Sequence, residues 1–248
     1  VSIAFSKDYL STHMNELEDL RSLARLLSSA GQSALLEGKK AEAVGYSLDS
    51  VRLGQAIARG GVVIDVMVAQ ACQAIGLKGL RSMRPALTNP EITEIIRTLE
   101  VVDHEGESME QIFRREKAYF DKTYGWGSLV AIRSMTFIAG LRGQPTALQV
   151  AKNNLMRGQA RFRLFMVELA LEAHKRDHGS YPQSLAALNL QFGHGLPKDP
   201  FSAGDLVYRR QDDAFRLYSV GPDRKDNGGK ALARQSGAGV PSGDVLPD

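Results

Sequence analysis

Between Asp8 and Glu37 apolar residues fall at Leu10, Met14, Leu17, Leu20, Leu23 and Leu27, the three-or-four spacing of one helical face. Gly38 stops the pattern, and Ala41 to Ala58 resumes it through Val44, Leu48, Val51 and Ile57. So short a Gly-Lys-Lys connection predicts an antiparallel helical hairpin. Gly31 and Ala43 match two small-residue positions of a tetratricopeptide unit, but that repeat's aromatic positions are absent and no second copy stands out. Val62 to Met83 is apolar on most sides and predicts a buried helix. Pro85 and Asn89-Pro90 then punctuate the chain, and Pro90 suits the first turn of a charged helix from Glu91 to about Lys122. Gly125-Trp126-Gly127 breaks the periodicity, Ser128 to Leu141 restores it, and Gly143-Gln144-Pro145 breaks it again.

From Thr146 to His178 there is no proline and a single glycine, and Phe162 to Leu171 is apolar except for Arg163 and Glu168. That predicts a long helix through the centre of the fold. Gly179 follows the basic last turn Lys175-Arg176, a favourable stop, and Pro182 can start a short helix carrying Leu185 and Leu188. The chemistry changes after Leu190, where nine of the 24 glycines gather with prolines at 197, 200, 222, 241 and 247. Two strand-like runs, Leu206 to Arg210 and Phe215 to Val220, flank the polar loop Gln211 to Ala214 and predict an antiparallel hairpin. In the second run Phe215, Leu217 and Ser219 alternate with Arg216, Tyr218 and Val220, so one face is expected on the long helix and the other towards solvent or a partner. The polar, glycine-rich tail after Lys230 is expected to be weakly ordered.

The expected fold is therefore mainly α, of α+β type: a helical-hairpin bundle, then a long central helix with a small β-hairpin near the C-terminus. The expected domains are a helical one at 1–145, a helix-plus-hairpin module at 146–230, and a tail at 231–248. Hydrophobic residues at 43% against only 7% aromatics agree with helices. Thirty-one bases against 28 acids leave a formal charge of +3, too little for a surface built to hold nucleic-acid phosphates. Cys72, the lone cysteine, cannot form an internal disulfide and reads as a buried thiol. No run approaches the roughly 20 apolar residues of a membrane span; the best candidate, Val62 to Ala69, is too short and is broken by Asp65.

Enzyme signatures are missing. No G-x-S-x-G elbow, Ser-x-x-Lys pair, phosphate loop, dinucleotide turn or H-E-x-x-H helix occurs. His174 and His178 stand four apart on the long helix, where a metal would need a third ligand and where basic side chains also suit the helix dipole. Glu100, His104, Glu105, Glu107 and Glu110 form an acidic patch expected to be solvated. Gly221 to Gly229 remains: Asp223, Asp226 and Asn227 supply the hard oxygens calcium prefers, while Arg224 and Lys225 oppose a cation. As bare pattern, this is equally a solvated Asp-Asn-Gly turn.

Ala170 to Pro182, then Leu185 and Leu188, then Leu196-Pro-Lys-Asp-Pro-Phe201, and finally Leu217-Tyr-Ser-Val-Gly-Pro-Asp223, resemble the globular end of the major pseudopilin of type II secretion, a type IV pilin-like module. The resemblance spans roughly residues 160 to 230. It implies a long helix ending in a Tyr-Pro turn, a Leu-Pro-x-Asp-Pro-aromatic crossing, a small antiparallel sheet and a calcium-holding Gly-Pro-Asp loop. That family's later acidic ligands have a counterpart here only if Asp244 folds back. A looser likeness connects the whole chain to bacterial envelope proteins that join an alanine-rich helical region to this ending. It implies an N-terminal membrane anchor upstream of Val1, a periplasmic location and other envelope proteins as partners. The expected function is a non-enzymatic secretion or pilus-like scaffold component that binds proteins. Two alternatives stay open: a hydrolase or transferase using His104, Glu105 or His174 between bundle and sheet, and a cytosolic helical adaptor.

Overall fold

The computed structural model describes residues 9–123, 146–232 and 241–247. The expected helix at Ser128–Leu141 and the breaks on either side of it lie outside the described residues. The protein is mainly helical, with one small two-stranded antiparallel sheet near its C-terminus.

Helix α1 (Tyr9–Leu36) meets α2 (Lys40–Ala58) through a tight reversal. Gly38, at φ 77°, donates its N–H to the Leu35 carbonyl while Lys39 donates to Ala34, so two otherwise orphaned carbonyls are satisfied. Gly31 and Ala43 face each other across this hairpin: a Cβ on Gly31 would touch the Ala43 carbonyl at 3.5 Å. Next comes α3 (Val63–Met83), which packs unusually close to α2. A Cβ on Gly76 would stand 2.4 Å from the Ser47 carbonyl oxygen, and Ser50 donates its hydroxyl to the Cys72 carbonyl. Cys72 is fully buried, and burial pushes its thiol pKa up. By length and composition the stretch Val63–Ala86, at mean hydropathy 1.3, could cross a membrane, which the run-length count missed. It carries Asp65, and 44% of its apolar window is buried inside the protein.

A 3-10 turn (Arg84–Ala86) leads to α4 (Asn89–His104), which opens on a capping box between Thr88 and Glu91. The single helix expected from Glu91 to Lys122 is in fact two. Gly106 interrupts it, and Ser108 starts α5 (109–123) with a second capping box: Ser108 donates to Gln111 Oε1 and Gln111 N–H returns to Ser108 Oγ. The charge pattern runs on across Gly106, and the start of α5 is signalled only by this local cap.

Helix α6 (Ala147–His178) is unbroken and capped at Thr146, whose hydroxyl accepts the Gln149 N–H. Nearly all of Phe162 to Leu171 is buried, with Leu164, Phe165, Val167, Leu169, Ala170 and Leu171 all at 0% exposure. Glu168 sits among them beside Arg81 and Arg84; burial raises its carboxyl pKa, more than the two guanidinium groups lower it. Helix α4 lies antiparallel along α6. Asn89 bonds Asp177 at one end, and Asp103 pairs with Arg163 at 2.9 Å at the other.

The chain divides into two compact units, Val1–Leu80 with Gly106–Lys152, and Arg81–Glu105 with Asn153–Asp248. This grouping differs from the expected domains at 1–145 and 146–230 in placing α4 with the C-terminal segment, to which Asn89 and Asp103 bond through α6. Beyond α6, a 3-10 helix (Leu185–Gln191) starts after Ser184 rather than at Pro182. The strands are β1 (Val207–Gln211) and β2 (Ala214–Tyr218), joined by Asp212-Asp213 alone. The expected four-residue loop shortens to two because Gln211 and Ala214 pair with each other, Asp212 taking the positive φ of 46° that the turn requires. Ser219 leaves β1 and bridges to Val245.

Candidate functional site

The second unit holds the residues that the sequence singled out. At the C-terminal end of α6, Gly179 closes the helix and Tyr181 turns inward, donating its hydroxyl to Glu172 at 3.0 Å and packing edge-on against Phe215. Burial, with Glu172 close by, pushes the Tyr181 hydroxyl up to about 12. Tyr208 of β1 donates to the Pro182 carbonyl, so the hairpin is fastened to the helix exit. The crossing strap, Leu196 to Phe201, is pinned by Asp199. Its fully buried carboxylate accepts the Phe201 and Val220 N–H groups and the Ser219 hydroxyl, each at 2.9 Å. Arg163 of α6 holds the strap from the other side through the Lys198 carbonyl.

Past β2 the chain enters the acidic turn. Gly221, at φ +69°, passes so close to the Gly243 carbonyl that an added Cβ would stand 2.2 Å from its oxygen. That approach brings residues 241–247 back against the turn; the rest of the expected weakly ordered tail, 233–240 and 248, lies outside the described residues. Val245 pairs with Ser219 in both directions, and Asp244 and Val245 are each 1% exposed. Asp244 accepts the Asn227 N–H and the Gly229 N–H, while Asp223 accepts Asn227 Nδ2 and the Gly243 N–H. Asp223, Asn227 and Asp244 are therefore drawn together.

Asp226 is turned elsewhere. It takes the Tyr218 hydroxyl at 2.7 Å, the Gly228 N–H at 2.8 Å and Arg209 Nη2 at 2.7 Å. The Tyr218 hydroxyl, then the Gly228 N–H, hold its carboxyl below the usual range, while burial and Asp226 push Tyr218 up to about 12. This explains a second departure from the sequence reading. Tyr218, expected on an open face of the hairpin, is 1% exposed because the acidic turn folds over it.

Between the strap and β1 lies an open cleft of about 540 Å³, walled by Leu185, Asn189, His194, Leu196, Leu206 and Tyr208 among others, with the Lys198–Asp205 ion pair at its rim. Sequence reasoning did not find it, since its walls come from three segments with no shared motif. Nor is the acidic patch a solvated face throughout. Glu100 is buried and accepts the Gly193 and His194 N–H groups, and in the first unit Glu107 accepts the Gly60 N–H and pairs with Arg115. Of the acid-base candidates, His104 stacks on His194 with ring centroids 4.2 Å apart, Glu105 is exposed, and His174 stacks on His178 at 4.0 Å. Neither His104, Glu105 nor His174 lines the cleft. Among the described residues no group of three or more His, Cys, Asp or Glu side chains stands at metal-holding distances. Comparison of the chain with protein-family models, with curated proteins and with solved structures gave no significant match.

Proposed function

We propose that the chain is a non-enzymatic component of a bacterial cell envelope, facing the periplasm and binding other proteins as part of a secretion or pilus-like scaffold. The observation supporting this reading is the buried Asp199 carboxylate. It fixes the Leu-Pro-Lys-Asp-Pro-Phe strap under the end of β2, so helix, strap and hairpin form one continuous unit with an open cleft beside it. A buried carboxylate satisfied by three donors is a positioning device, since losing any donor leaves a desolvated charge. Fractionation of cells producing the full-length protein tests the assignment. Recovery in the membrane or periplasmic fraction is expected; recovery in the cytosol alone overturns it and favours a cytosolic adaptor.

Calcium belongs to the same reading. Two carboxylates and an amide are the hard donors that calcium takes, and Asp223, Asn227 and Asp244 are the side chains that would hold it. Asp226, engaged by Arg209 and Tyr218, does not join them. Millimolar calcium should raise the thermal unfolding midpoint, because a ligand that binds only the folded state stabilises it. Asp244→Asn should remove most of that rise. An unchanged midpoint in the unaltered protein would mean that the turn is closed by its own hydrogen bonds.

A further inference from the structure

The outer edge of β1 is unfinished. A two-residue connection makes Gln211 and Ala214 the closing pair, and alternation then directs the backbone groups of Val207, Arg209 and Gln211 towards β2. Tyr208 and Arg210 direct theirs the opposite way. The parity agrees with the strap: the Gly204 carbonyl accepts the Asp199 N–H, so even-numbered residues of this stretch face the strap side. Strap and strand begin to pair at the single bridge between Lys198 and Asp205, then splay apart. Beyond that bridge the cleft opens between them, and among the described residues no backbone group bonds the outer side of β1.

We infer that the cleft takes an extended peptide segment of another protein, which adds as a strand to the free edge of β1 and exchanges backbone hydrogen bonds with Tyr208 and Arg210. The occupant is a strand because a row of unpaired N–H and C=O groups at two-residue spacing is satisfied in full only by another extended backbone. Its alternate side chains enter the space between Leu185, Leu196 and Leu206, which selects apolar residues at every second position. A helix would fill the volume but leave the edge unpaired. The inference rests on the protein-binding reading above and specifies the form of the partner.

The test uses the full chain and a phage library of random peptides, the enriched sequences being remade as labelled synthetic peptides and their binding measured by fluorescence anisotropy. N-methylating every second residue of the bound stretch in one register should weaken binding about tenfold or more, whereas the other register is tolerated. Arg210→Pro removes one outward N–H at an edge position where proline is accommodated, and should weaken binding by a similar factor. Hydrogen exchange of the Tyr208 and Arg210 amides in the unaltered protein should slow on peptide addition, a readout that does not depend on the variant folding. Peptides that bind while tolerating both N-methylation registers, with those amides unchanged, overturn strand addition and leave protein binding intact. An empty selection also overturns it, while the envelope location stands or falls separately by fractionation.

Discussion

His13 shows how a single side chain can carry a pH response. Its Nε2 lies 2.5 Å from Asp65 Oδ1 and its Nδ1 3.3 Å from Glu16. Burial pulls the imidazole pKa down, but the two carboxylates pull harder, and the net position is above the ordinary 6.5. A histidine raised in the folded state stabilises fully below about 6.5, and that contribution is lost as pH rises through the elevated value. Other charged groups lie on the same helix start: Asp65 also accepts the Val62 N–H, and Glu116 accepts the Val63 N–H, near Arg115 and Glu107. Burial outweighs that N–H bond and raises the Glu116 carboxyl above its ordinary carboxylate value, so its contribution also fades with rising pH, from the acid side. His13→Gln should therefore flatten the fall in urea-unfolding stability just above pH 6.5 and leave the acid-side slope in place. An unchanged profile above 6.5 would show that the imidazole stays neutral in the fold.

At the scale of elements, the α2–α3 contact yields a prediction with two signs. Replacing a helical glycine by alanine ordinarily stabilises by up to about 1 kcal/mol. Gly45→Ala in α2 should do so, because a Cβ there meets no atom within 4 Å. At Gly76 the same change drives a Cβ to 2.4 Å from the Ser47 carbonyl and 2.8 Å from Val51, and overpacking costs about 1–3 kcal/mol. Gly76→Ala should be net destabilising by denaturant titration; a gain would mean that the two helices are farther apart than described. Glycine's role at these sites was not legible in the sequence, since close approach depends on which faces meet. What was legible is periodic. The 3.6-residue spacing marked α1 and α2 to within a residue or two, all-round apolarity marked α3, an apolar run free of proline marked α6, and alternation marked β2. The break at Gly106 was missed because its signal is a local cap, Ser108 with Gln111. The burial of Glu100 was missed because its partners, Gly193 and His194, lie more than 90 residues away. The candidate site divides the same way: the Asp223–Asn227 turn could be read from composition, but the return of Asp244 that completes it, and the turning away of Asp226, are set by tertiary contacts.

For the molecule as a whole, two compact units built from interleaved segments pose the question of whether damage in one spreads to the other, and the chain's last residues allow that to be asked. In the contacts described, residues 241–247 meet the second unit's acidic turn, its strand extension and residues 230–232: Val245 with Ser219, Asp244 with Asn227, Gly229, Lys230 and Leu232, Gly243 with Asp223. Burying a valine side chain contributes about 1.5–3 kcal/mol. The N–H groups of Asn227, Gly229 and Ser219 would turn to water once Asp244 and Val245 are gone, so most of the loss comes from the apolar term. Deleting 241–248 should therefore destabilise the second unit by about 2–4 kcal/mol. If the units are energetically separate, amide exchange should speed up in β2 and at Ser219 while the protected amides of α1 and α2 keep their rates. Equal acceleration throughout would show that α3 and α6, which each contribute residues to both units, transmit the loss and make the chain one cooperative body.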